Sequence, residues 1–538
     1  MEKGRASAMM CSYNAVNGVP SCANSFLMTT IARNEWSLDG YITSDCGAVS
    51  NIPQTHYYTN SSVATFGATL PSGMDIGCDV LLVQAGVAAQ AVAAGVVAQA
   101  DIDKAVSHLL RVRMRLGEFD PPAAQPYAQI GLDVVCSPEH VALARDSARQ
   151  SLVLLTNPRQ LLPLNRSAVH SVAVVGPFAN SSAGINGGIN YAGIPCGGAA
   201  TTVADAFAAS GLATTFALGC DIACASTAGF AAATAAAANA DATIVVVGLD
   251  ESIEDEALDR TYLTLPGNQQ SLVEAACAAA RGPCVVALMS GGAVDLSGAL
   301  PSVSGGVLYA GFMGGSGAPA FVDTVFGASA PAGRLSQTFY PSRFVDDVSM
   351  FEMKMAPGDS AFPPGSTPGR GNRFYTGEIV HPFGWGLTYT SWQVSVAGPP
   401  TVPLAAARAF LAANPAHGAR FASRRSEPPS VATYTVNVTN VGRVDSDYVV
   451  LGFLVPPGAG AGGVPQQQLF GFERVHVRVG ETVTVWLGVG ARDLTRVVAA
   501  AGGEPARRVA VAGEYGLRVG VRGEPGGGGA EARFVAVD

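Results

Sequence analysis

Four continuous apolar runs, each closed by glycine, constrain this chain more than any other feature. They are SVAVVGPFA (171–179), DATIVVVGLD (241–250), CVVALMSGG (284–292) and GVLYAGFMGG (306–315). A strand with one wet face alternates apolar and polar residues, whereas a strand buried on both faces does not. Ala-rich helical stretches separate the runs, for example 223–240 and 266–281. The pattern predicts an α/β sandwich over 151–346, built on buried parallel strands.

The flanking sequence reads differently. Residues 1–120 alternate short strands, SAMMCSYNAV and DGYITSD, with helices. ADIDKAVSHLLRVRMRLGEF is an amphipathic helix opened by Asp101 and stopped by Pro121-Pro122. The Ala-rich stretch 85–100 reads as a packed helix. Residues 121–150 form a connector ending in a helix, with Ser137 as N-cap and Pro138 at the first helical position. Residues 347–385, rich in Pro, Gly and Met, read as a long surface loop. From 386 to 538 the sequence turns to alternating strands, as in an immunoglobulin or fibronectin type III sandwich. An Ala/Arg/Pro-rich insert at 402–430 reads as disordered, and GEPGGGGAE (523–531) as flexible.

Bulk properties exclude several classes. The net charge is −9 with no basic stripe, which argues against nucleic acid as a partner. No run of apolar residues has the length and purity of a membrane span. The ten cysteines form no paired zinc spacing; Cys220 and Cys224 read as a disulfide or as ordinary thiols, so no metal is expected. Sequons at Asn60, Asn165, Asn180 and Asn437, together with the cysteines, lean toward an oxidising secretory compartment. The first residues, with no apolar core or cleavage site, do not read as a signal peptide.

Two carboxylate sites invite a chemical reading. TSDCGAV (43–49) places Asp45 where a strand ends, a position that by itself reads as a turn or cap. DESIEDEALDRT follows the strand TIVVVGL and holds six acids: Asp250, Glu251, Glu254, Asp255, Glu256 and Asp259. Charge patterning alone makes it a solvated loop. Loops at strand C-termini are also where α/β folds collect ligand groups, and glycosidases need two carboxyl groups.

MCSYNAVNGVPSCAN, GYITSDCGAV, ARQSLVLLTN…LPL, GLDESIEDEALDRTYLTLPG, LMSGGAVDLS, GRLSQTFYP and HPFGWGLTYT occur in that order. Together they resemble glycoside hydrolase family 3, in its plant β-D-xylosidase/α-L-arabinofuranosidase branch. The resemblance implies an exo-glycosidase acting on xylan, arabinoxylan or arabinan ends in the cell wall, with retention and without cofactor. It matches Asp45 to the nucleophile and Glu256 to the acid/base of E-x-x-D-R. Glu254 is the rival, and Tyr13 a tyrosine of the sugar subsite. The two carboxylates would then come from different domains and meet in a cleft.

The family's first domain is a (β/α)₈ barrel of about 250 residues. Only about 120 residues precede the connector here, so the expectation is a partial barrel holding its C-terminal strands only. Residues from earlier strands that hold the sugar have no counterpart. That predicts an unstable or inactive chain, and it keeps open a second reading: an inactive remnant acting as a carbohydrate-binding or interaction module.

Overall fold

The computed structural model describes residues 5–78, 86–188, 196, 198–361, 364–413, 430–498 and 507–538. The chain divides into two units.

The first unit holds the described residues up to Leu132, the helix Ala405–Ala413 and the hairpin Thr495–Val498/Arg507–Ala510. Strand β1 (Ala8–Cys11) runs parallel to β2 (Tyr41–Ser44), and Thr43 makes a further parallel bridge to Ile76. Parallel pairing requires crossovers, and helical segments supply them. The Asp75 carboxylate ties these pieces together. It accepts from the Ile42 backbone N–H at 2.6 Å, from the His108 ring at 2.7 Å and from the Arg33 guanidinium. Burial outweighs Asp75 and lowers the Arg33 guanidinium.

Local signals in this unit resolve in detail. The helix expected over 85–100 is Val87–Ala93, because Gly95 turns left-handed at φ +70°. The next helix, Gln99–Arg115, starts two residues before Asp101. Asp101 caps it from within, accepting the Ala98 N–H at 3.0 Å. Within the insert, Ala405–Ala413 is helical, and 414–429 lie outside the described residues.

The second unit is built on a six-stranded sheet. Its strands are β3 (Val153–Thr156), β4 (Ser171–Val175), β5 (Ala213–Ala217), β6 (Ala242–Gly248), β7 (Cys284–Met289) and β8 (Gly306–Tyr309). The order is β3-β8-β7-β6-β4-β5, all parallel except the edge strand β3. Every residue of β6 and β7 is buried, as unbroken apolar runs require. Gly248 closes β6 at φ +152°, where an added Cβ would sit 1.7 Å from the Met289 carbonyl oxygen. The helix expected over 223–240 begins only at Phe230. The Cys220–Cys224 disulfide and a left-handed Cys224 (φ +47°) shape the preceding residues into a turn. The helix expected over 266–281 is Gln269–Ala279.

The connector helix Pro138–Ser151 is capped by Ser137, whose hydroxyl accepts the His140 N–H at 3.3 Å. Its Arg145 and Arg149 both grip Asp323 on the helix Gly317–Val325. The stretch 347–385 is not structureless: Gly358–Ala361 pairs with Pro364–Thr367.

The sandwich comprises β9 (Trp392–Ala397), β10 (Thr401–Pro403), β11 (Ala432–Asn440), β12 (Ser446–Val455), β13 (Gln468–Val477), β14 (Thr482–Val489), β15 (Gly513–Val519) and β16 (Ala530–Val537). Two sheets face each other, β9-β11-β14 and β10-β16-β15-β12-β13. The glycine-rich 523–531 segment is pinned rather than loose. Glu524 is buried against Arg334, while Tyr448 and Trp392 donate to the Gly527 and Gly526 carbonyls. Burial outweighs Arg334 and raises the Glu524 carboxyl.

His381 is a second buried ionisable group. Its ring packs near Phe339 and Trp385, and its Nδ1 is buried without a partner. Desolvation pushes it down to about 4, against the opposing pull of Asp295. The folded state therefore binds fewer protons here than the unfolded state between pH 6.5 and 4, and stability falls as pH falls through that window. His381→Phe should shrink the difference in urea-unfolding free energy between pH 7 and pH 4 by about 3 kcal/mol. An unchanged pH slope would show that His381 is not the group responsible.

Candidate active site

Asp45 follows β2 directly. Its backbone N–H donates to the Cys11 carbonyl at 3.1 Å, which holds it at the shared end of β1 and β2. One carboxylate oxygen accepts the Cys46 N–H at 2.8 Å, and its carbonyl accepts the Ala48 N–H at 3.1 Å. The capping role is real. The carboxylate is nevertheless half-buried, and its second oxygen has no partner among the described residues. Gly47 turns the chain at φ +89° before the helix Ala48–Gln54.

Tyr13 is brought to the same turn. Its hydroxyl donates to the Cys46 carbonyl at 2.6 Å, and its own carbonyl lies 2.8 Å from the His56 ring nitrogen. Two disulfides staple the strand ends: Cys11–Cys22 and Cys46–Cys78. Cys78 reinforces the second, donating its N–H to the Ser44 hydroxyl at 2.8 Å and accepting the Gly47 N–H at 3.2 Å. All ten cysteines pair: Cys136–Cys196 and Cys277–Cys284 complete the set with Cys220–Cys224. Among the described residues, no cluster of three or more metal-ligating side chains occurs.

In the second unit, the acidic loop leaves β6 under firm control. The buried amide of Gln269 accepts the Gly248 N–H at 2.8 Å and donates to the Gly248 carbonyl at 2.9 Å. Asp250 then folds the chain back, accepting from the Ser252 N–H and hydroxyl at 3.0 and 2.6 Å. Asp255 and Leu258 exchange two backbone bonds of 3.0 Å around Glu256-Ala257, with Ala257 left-handed at φ +63°. Glu256 is consequently exposed at the tip of a tight turn.

Glu254 has a different position. It accepts from Arg260 Nε at 2.7 Å, and Arg260, its side chain only 4% exposed, also donates to the Ala293 carbonyl at 2.8 Å. Glu254 therefore anchors the loop through a buried guanidinium, while Glu256 is presented by it. Gly291 and Gly292 leave room for this: an added Cβ on Gly292 would lie 2.9 Å from Glu254 and 3.0 Å from Arg260. Phe312 packs over Gly291, and Tyr309 donates to the Ser290 carbonyl at 2.8 Å. Burial raises the Tyr309 hydroxyl, and Glu254 adds to the effect. Gln269, Tyr309 and Phe312 escape pattern reading, since an isolated Gln, Tyr or Phe carries no periodic signal. The glycine pair 291–292 at a strand end was the available clue. A separate cleft of about 340 Å³ lies between Gln150, Phe312, Arg334 and Arg474, and none of the four predicted site residues lines it.

Comparison with known proteins decides the family. The glycosyl hydrolase family 3 N-terminal domain matches residues 2–112 and the family's C-terminal domain matches 152–389. A fibronectin type III-like domain matches 448–522. The chain belongs to glycoside hydrolase family 3. Beta-D-xylosidase 1 of Arabidopsis thaliana is 38% identical over 528 residues, covering 96% of this chain and 66% of that protein. Beta-xylosidase/alpha-L-arabinofuranosidase 1 of Medicago sativa subsp. varia is 38% identical, covering 88% of this chain and 60% of its own length. A solved GH3 exo-beta-xylosidase, XlnD in complex with a xylobiose aziridine probe, superposes with a TM-score of 0.84 at 30% identity. That match covers 99% of this chain and 66% of XlnD. The family 3 chain thus spans about 60–66% of the length of these relatives.

The Cys46–Cys78 bridge closes a 32-residue separation beside Asp45. A Cys46→Ala/Cys78→Ala chain should lose about 3 kcal/mol of stability in the denaturant unfolding of its first transition. Equal midpoints with and without the bridge would show that the turn is held by its hydrogen bonds alone.

Proposed function

We propose that this family 3 chain carries the machinery of a retaining exo-glycosidase, removing terminal β-1,4-xylosyl and/or α-L-arabinofuranosyl residues from xylan, arabinoxylan or arabinan. The carrying observation is the half-buried carboxylate of Asp45 at the joined ends of two parallel strands, with Tyr13 bonded to the same turn. The names of the Arabidopsis, Medicago and XlnD relatives supply the substrate class.

In this reading Asp45 attacks the anomeric carbon, and the bond to the leaving oxygen breaks as Glu256 protonates that oxygen. Water then attacks the glycosyl-enzyme carbon, giving its proton to Glu256 and releasing Asp45. Retention calls for carboxyl groups about 5–5.5 Å apart in the reacting complex. Glu254 is committed to Arg260 and supports the loop. Tyr13 holds the Asp45 turn and contributes to the sugar subsite. Five disulfides and four sequons support an extracellular, cell-wall location.

The test uses aryl β-D-xylopyranoside and aryl α-L-arabinofuranoside with protein from a secretory host. Asp45→Ala should abolish turnover. Glu256→Gln should lose roughly 10²–10⁴-fold with poor leaving groups and recover with added azide, as loss of a general acid/base predicts. Glu254→Gln should not be rescued by azide. Turnover that survives Asp45→Ala would sink the assignment, and azide rescue of Glu254→Gln in place of Glu256→Gln would exchange their roles.

A further inference from the structure

Trp486 exposes 67% of its surface on the outer face of the sheet β9-β11-β14. Strand alternation fixes which neighbours share that face. Val436, Val438 and Leu487 are buried, so Thr435, Asn437 and Thr439 of β11 point outward beside Thr482, Thr484 and Trp486 of β14. The register sets Thr435 opposite Trp486, Asn437 opposite Thr484 and Thr439 opposite Thr482. None of these outward side chains ionises. Asn437 and Trp486 are diagonal neighbours, and such pairs lie about 7–8 Å apart, within reach of an aromatic side chain.

Asn437-Val438-Thr439 is one of the four sequons. Asn437 is half-exposed, and its Oδ1 accepts from the Thr484 hydroxyl at 2.8 Å. Its Nδ2 has no partner among the described residues. The acceptor atom of the modification therefore stands beside an unpacked indole on a neutral, hydroxyl-bearing surface. Pyranose rings present an apolar C–H face and a polar edge. Such a ring suits an indole flanked by threonines, and it brings no charge to be desolvated.

We propose that Asn437 carries an N-linked glycan whose first sugars lie against Trp486. The bond formed joins Asn437 Nδ2 to C1 of the reducing-end N-acetylglucosamine. The bond broken joins that carbon to a polyprenyl diphosphate, which leaves, while Nδ2 loses one proton. The donor is the lipid-linked oligosaccharide of a secretory lumen, and five disulfides fit the same compartment. The glycan covers the exposed ring, and the modification is independent of catalysis.

The full chain secreted from a eukaryotic host provides the test. Peptide mass mapping should find a glycan on the peptide containing Asn437. Enzymatic deglycosylation of the folded protein should then raise acrylamide quenching of tryptophan fluorescence, because Trp486 loses its cover. That rise should vanish in Trp486→Phe. Recovery of the Asn437 peptide unmodified would overturn the proposal. So would a glycan whose removal leaves quenching unchanged. Shielding of Trp486 by added xylan in protein that lacks the glycan would instead assign the face to free polysaccharide.

Discussion

The second unit depends on two strands that are buried along their whole length. Every residue of β6 and β7 lies out of water, so no side chain on either strand can serve function directly. Chemistry is displaced to the loops at their C-terminal ends, where backbone groups leave the sheet. The acidic loop and the Gly291-Gly292 pair both emerge there. Gly248 permits the departure because the Met289 carbonyl approaches too closely for any side chain. Gln269 then returns both hydrogen bonds that Gly248 would otherwise lack inside the core. The position of Glu256 follows from this sequence of constraints rather than from its own contacts.

Carboxylates in this protein divide by what surrounds them. Asp75 joins a strand, a helix and a guanidinium in the first unit. Glu254 meets the buried guanidinium of Arg260 and holds a loop, while the buried Glu524 meets the mostly covered Arg334 and holds a sandwich turn. Buried charges of this kind need their partners, since removing one side leaves the other stranded. Asp45 differs because a backbone N–H, and no cation, meets its carboxylate among the described residues. Glu256 differs because it is exposed. The two residues matched to chemistry by resemblance are thus both left accessible by the local structure.

Much of the fold was legible in advance. The four apolar runs became β4, β6, β7 and β8, because burial on both faces writes itself directly into composition. Ser137 and Pro138 marked a helix start for local reasons that need no tertiary information. Boundaries were less legible where a distant or covalent contact intervened. The Cys220–Cys224 link delays a helix that alanine content alone would begin earlier. The glycine-rich 523–531 segment looked flexible because composition records backbone freedom and not the Arg334 that removes it.

The sequence by itself determined the family, the α/β core and the two carboxylates matched to catalysis, because periodicity and ordered motifs are local and additive along the chain. Only the tertiary structure decided that Tyr13 bonds the Asp45 turn, that Glu254 is spent on Arg260, and that Asn437 stands beside Trp486. The first and last of those facts join residues from separate elements, and the Glu254–Arg260 pair closes a loop whose guanidinium is buried by the rest of the fold. Strand register and burial create such pairs, and neither exists until the chain has packed.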